Sequence, residues 1–153
     1  MSYRISFAAA DVDWQIQMLT IYPEIANKHF YPGMNKAADA LMAVIEPNIP
    51  EDTGLLHSRF RKAVSGKGLF ITASVGFPNM AGVAYAVPLE YGARPHEIGY
   101  VPNLGVSFLV HEHPGIKARK FMARGFLQAQ SAINTEMENG ARGVVDELAK
   151  GES

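Results

Sequence analysis

Asp52-Thr53-Gly54 is the first place in this 153-residue chain where residue types and order suggest chemistry. Asp-Thr-Gly is the catalytic tripeptide of aspartic proteases, whose two carboxylates share a proton because neighbouring like charges cannot both ionise. That chemistry needs an apolar strand to deliver the aspartate into a fixed turn. Here "NIPE" precedes the tripeptide and an amphipathic run follows it. The preferred reading is therefore a helix cap, in which the oxygen of Asp52 or Thr53 accepts a free backbone amide, worth about 1 kcal/mol. Gly54 then lets the backbone turn or another segment approach. The histidines form a second group. His111 and His113 flank Glu112 in "HEHPG", and alternate residues of a strand share a face; His96 and Glu90 lie nearby in sequence. A metal-dependent hydrolase using His96, His111 and His113 is the enzymatic alternative. No HExxH accompanies them, so exposed or loop-packing histidines are preferred, and neither a metal nor any other cofactor is expected. His57 and Ser58 are adjacent, so on a helix they diverge and make no nucleophile–base pair.

A third group is basic. "KARKFMARG" carries Lys117, Arg119, Lys120 and Arg124 at the expected start of a helix. Cations there oppose the helix dipole, which points to a use; ion pairs within the chain or with a partner subunit are preferred over a phosphate backbone. The chain as a whole has 14 basic and 15 acidic residues and a formal net charge of -1. Nucleic acid is thus expected as a secondary contact at most. The absence of cysteine excludes disulfides, thiolate zinc sites and cysteine nucleophiles, and suits a reducing cytoplasm. No apolar run is long enough to span a membrane, and "MSYRISFAAADVDWQ" reads as a mature N-terminus.

These groups need a scaffold. Length predicts one domain, residues 1–153, with 48% hydrophobic residues to fill its core. A short strand is expected at 3–7. Residues 13–46 read as interrupted helix, with Pro23 and Pro32 starting, kinking or breaking it. Its cleanest piece turns Met34, Ala37, Ala38, Leu41, Val44 and Ile45 one way. From Thr53 a short helix is expected to carry Leu56, Phe60, Ala63 and Val64 on one face, ended by "SGKG". "LFITASVGF" and "GVAYAVPLEYG" read as an antiparallel strand pair turning near "PNMAG", with "VSFLVHEH" as a third strand. Between them, 93–105 is expected to be a mobile loop and contact arm. Residues 117–149 read as a long helix in which Gly125, Gly140 and Gly143 serve either close packing or bending. The fold class is α+β: a small antiparallel sheet packed against a long C-terminal helix and N-terminal helices.

Several pieces occur together in a familiar order. "IPEDTGLLHSRF" is similar to the proline-x-Asp/Thr-Thr-Gly-x-Leu-x-x-Ser segment of the tailed-bacteriophage neck, or tail-completion, proteins. That family is also described as head–tail joining or minor tail protein Z-like. Tyr85-Ala86 and Glu90-Tyr91-Gly92 resemble its Tyr-Ala…Glu-Tyr/Phe-Gly motif, and Ala118-Arg119-Lys120-Phe121-Met122 resembles its "ARPFM", covering roughly residues 34–149 together. The chain departs from the pattern at Lys120, where the family usually has proline, and in the long loop at 93–105. The resemblance implies a non-enzymatic virion protein, assembled in the host bacterial cytoplasm and placed at the neck or tail end. Its implied partners are connector or head-closure and tail-terminator proteins, with a ring-like homo-oligomer; a tail terminator or other minor tail protein is the alternative within the class. Asp52, Thr53, Gly54, Tyr85, Glu90, Tyr91, Gly92, Arg119 and Phe121 are the residues it marks as structural motif or assembly interface.

Overall fold

A computed structural model describes residues 2–6, 23–51, 54–68, 70–78, 83–96 and 113–151. The chain is α+β. Strand β1 (Ser2–Ser6) is followed by helix α1 (Pro23–Ile45), a 3-10 turn (Glu46–Asn48) and short helix α2 (Leu55–Arg59). Strands β2 (Arg61–Lys67) and β3 (Phe70–Gly76) come next, then helix α3 (Ala86–Tyr91) and the long helix α4 (Phe121–Gly151). The sheet has the order β1-β3-β2, antiparallel throughout, with Tyr3 opposite Val75 and Val64 opposite Ala73.

The helix expected to run on from Leu56 stops at Arg59, and Ala63 and Val64 belong to β2 instead. Phe60 leaves the helix in extended geometry and packs its ring on Phe77, 5.5 Å between centroids. From there side chains alternate: Lys62 and Val64 are half-buried, whereas Arg61, Ala63 and Ser65 are exposed. "SGKG" ends strand β2 rather than a helix: Ser65, Gly66 and Lys67 pair with Thr72, Ile71 and Phe70, and Gly68 enters the hairpin turn. Gly68, with φ 61°, supplies the positive φ that such turns require. The strand pair expected to turn near "PNMAG" is likewise replaced: β3 lies between β1 and β2, and residues 86–91 are helical. The expected strand at 106–113 lies outside the described residues except for His113.

Helix α1 is the layer on which the rest is built. Asn27, Tyr31, Asn35 and Asp39, four residues apart, form a stripe over the hairpin. The Tyr31 hydroxyl donates to the Val64 carbonyl at 3.3 Å, and the Gly68 amide donates to Asn27 Oδ1 at 3.4 Å. The Lys62 ammonium donates to Asn35 Oδ1 at 2.9 Å and pairs with Asp39. Pro23 opens α1, where its missing amide costs nothing. Pro32 sits exposed inside the helix, which continues because Phe30, Met34, Ala37, Ala38, Leu41 and Ile45 are buried around it.

Helix α4 runs antiparallel along α1, and glycines set their separation. A Cβ at Gly33 would lie 3.1 Å from the Glu136 carbonyl, and one at Gly140 would lie 3.3 Å from the His29 carbonyl. A Cβ at Gly125 would overlap the Ile45 side chain, and one at Gly143 the His29 ring. The glycines therefore serve close packing. Gly125→Ala is expected to lower stability by about 1–2 kcal/mol in urea melts, because overpacking against stiff, buried Ile45 outweighs the roughly 1 kcal/mol gain in helix propensity. Ser131→Ala, exposed on the same helix, should be neutral or slightly stabilising; equal behaviour of the two variants would refute the packing role.

Near the other end of the pair, Glu147 accepts from the Lys28 ammonium at 2.9 Å and meets His29 Nε2 at 2.5 Å. The Lys28 ammonium, then the His29 ring, holds the Glu147 carboxyl below its usual range. This anchorage is complete above the ordinary carboxylate range and is lost as pH falls through the depressed value. No helix among the described residues is long and apolar enough to cross a membrane.

Candidate functional site

The residues singled out by the second and third motifs meet at one junction. Val83, Ala86 and Glu90 are buried at spacings of three and four, the helical period, while Val87 and Tyr91 face outward. Pro88 falls in the first turn of α3, where proline is tolerated. This helix corrects the strand expected at 82–92: aromatic and β-branched content suggested a strand, but the pattern of burial has a helical period.

Glu90 is fully buried, the one charged residue in the described core. Its two oxygens accept the amides of Met122 and Ala123, each at 2.9 Å. These are among the first amides of α4, which have no partner within their own helix. A carboxylate there also complements the positive end of the helix dipole. Burial of the charge is tolerated because both oxygens are satisfied. The end of α3 is satisfied in return: Arg119 N donates to the Leu89 carbonyl at 2.8 Å and Lys120 N to the Glu90 carbonyl at 3.2 Å. Two helix ends thus splice together across 32 positions of sequence.

Neighbouring backbone holds the splice in place. Ala93 and Ile116 exchange both amide–carbonyl bonds, at 2.8 and 2.9 Å, and His96 and His113 do the same at 3.1 and 2.7 Å. Gly92, at φ 82°, brings the chain so close that a Cβ would sit 3.0 Å from the Ile116 carbonyl. Lys120 has φ 51°, the one non-glycine with positive φ among the described residues.

The junction sorts the candidate residues. Glu90 and Phe121 are interior, Phe121 only 2% exposed, so neither presents a docking surface. Gly92 makes the close approach. Tyr85, Tyr91 and Arg119 reach the surface, Tyr91 being 66% exposed. Asp52 and Thr53 lie outside the described residues, so a cap from their side chains is not described. The N-cap of α2 is Gly54 itself, left-handed at φ 72°. A Cβ there would meet nothing within 4 Å, so its role is the turn and not close packing.

Of the histidines, His96 and His113 stack with centroids 5.0 Å apart. His113 Nδ1 accepts the Gly115 amide at 3.0 Å, and His96 Nδ1 lies 3.0 Å from the Arg94 carbonyl. His111 and Glu112 lie outside the described residues. Among the described residues no three metal-ligating side chains cluster, and Glu90 has both oxygens on backbone amides. The expected mobile loop is described only at 93–96, which pairs with 113–116.

The cap from Glu90 was missed from the sequence alone, but a signal exists. "GIKARKFM" offers no Ser, Thr, Asp or Asn at the start of α4. A long helix without a local cap needs an acceptor from elsewhere. Comparison with protein-family models, curated proteins and solved structures gives no match to this chain.

Proposed function

We propose that this chain is a structural protein of a tailed-bacteriophage virion, a tail-completion protein at the neck that joins tail to head through protein–protein contacts. In this reading it forms a ring-like homo-oligomer between a connector or head-closure protein and the tail-terminator protein, and catalyses no reaction. The observation that supports it is the splice. Glu90-Tyr91-Gly92 and Ala118–Met122, the two segments that resemble the family in order and spacing, form one interlocked unit. Their shared architecture gives a physical reason for both motifs to occur in one protein. The chemistry-bearing groups described at the junction are employed in backbone support: Glu90 caps a helix and the two histidines bind carbonyl and amide groups. Many modest contacts repeated around a ring would supply firm attachment through effective concentration.

The test is complementation. Phage lacking the gene should accumulate filled heads and finished tails, and purified protein should restore infectious particles without turnover. Tyr91→Asp, at an exposed position, should keep the circular dichroism spectrum and weaken rescue. Phe121→Asp buries an unpaired charge and should lose rescue through misfolding. Normal particles from the deletion phage would sink the assignment.

A further inference from the structure

The splice has an electrostatic by-product. The Ala93–Ile116 bridge brings Arg94 alongside the segment that carries Lys117, Arg119, Lys120 and Arg124. All five side chains are exposed, and none forms an ion pair among the described residues. The acid closest to them in the splice, Glu90, is fully buried and spent on the α4 amides. Arg124 is held by a hydrogen bond from its guanidinium to the Arg119 carbonyl. A chain with net charge -1 thus concentrates five of its 14 basic residues at one junction.

We propose that the face formed by Arg94, Lys117, Arg119, Lys120 and Arg124 is a contact surface for the phosphate backbone of duplex nucleic acid. The α4 N-terminus itself is not the site, because Glu90 already occupies its amides. Composition favours phosphate over an acidic protein surface. Protein–protein contact cores are depleted in charged residues and anchored by aromatics; here five cations outnumber the two exposed tyrosines of the junction, Tyr85 and Tyr91. Side chains that contact phosphate position a protein without reading sequence, so binding is expected to be indifferent to base composition. This inference does not rest on the neck assignment.

Binding of the full chain to a fluorescent duplex of about 25 base pairs, read by polarisation, tests it. Five phosphate contacts predict a slope of about -4.5 for log affinity against log salt, so affinity should fall roughly 500-fold between 50 and 200 mM salt. Arg94→Gln and Arg119→Gln should each flatten that slope by about 0.9, and Arg142→Gln, exposed further along α4, should leave it unchanged. Circular dichroism checks that each variant is folded, and the two patch variants lie on different segments, so one can stand in for the other. No polarisation change at low salt, or equal loss with Arg142→Gln, would overturn the proposal. So would polyglutamate competing as well as unlabelled duplex, because the face would then fit acidic polypeptide.

Discussion

Glu90→Ala is expected to lower the unfolding free energy by about 2–4 kcal/mol, the range for losing two charge-assisted hydrogen bonds with a buried amide left unpartnered. Met122 and Ala123 would keep their positions in the helix but lose their acceptor. In a chain of this size each kcal/mol moves the melting temperature by about 2–4 °C, so a fall of roughly 5–15 °C should appear in a thermal scan. Glu90→Gln keeps the shape and one acceptor oxygen, but turns its amide nitrogen towards a backbone N–H. It should fall between wild type and alanine. Hydrogen exchange would locate the damage: the first turn of α4 should lose protection before its middle. A Glu90→Ala protein within 0.5 kcal/mol of wild type would show that the splice is held by its backbone bonds alone.

Lys120→Pro is the second large effect, expected to cost about 3 kcal/mol or more. Proline fixes φ near -65°, whereas Lys120 has φ 51° and donates its amide to the Glu90 carbonyl. The variant loses both the conformation and the donor. Lys120→Gly, which relieves the left-handed cost of a residue with a Cβ, should be neutral or stabilising by about 1 kcal/mol. The pair has a further meaning, because proline is the residue the neck family usually places there. A proline variant as stable as wild type would mean that this turn readily adopts a second geometry, and would remove the main departure from the family pattern. A sharp loss would mean that this chain starts its last helix in its own way.

The readability of the chain divides by how local each signal is. Helix α4 and the second half of α1 were legible because Met122, Ala129, Ile133 and Met137, like Met34, Ala38, Leu41 and Ile45, repeat their burial over many turns. Short elements mislead. Leu56, Phe60 and Val64 keep helical spacing although a helix exit and a strand separate them, since four-residue steps also fit alternate positions of a strand. In residues 83–91 composition argued for a strand, whereas Val83, Ala86 and Glu90 record the helix. The candidate site was legible as motifs but not as a mechanism of support. Nothing near Glu90 in sequence announces that its carboxylate ends on Met122 and Ala123, because that contact exists only once two distant helix ends meet. The glycines of α4 resolve for the same reason: crowding by Ile45 and His29 is a property of the packed pair.

The paired backbones of Ala93 with Ile116 and His96 with His113 carry one more consequence, for protein engineering. A hydrogen-bonded antiparallel pair places its Cα atoms about 5.5 Å apart, so His96 and His113 stand side by side. A flexible segment that joins two such ends is closed at a cost that rises only by about 0.6 kcal/mol for each doubling of length. The paired ends therefore offer a graft point. In a chimera that joins His96 to His113 through a tight turn or a foreign peptide, Glu90 is expected to continue to hold the first turn of α4.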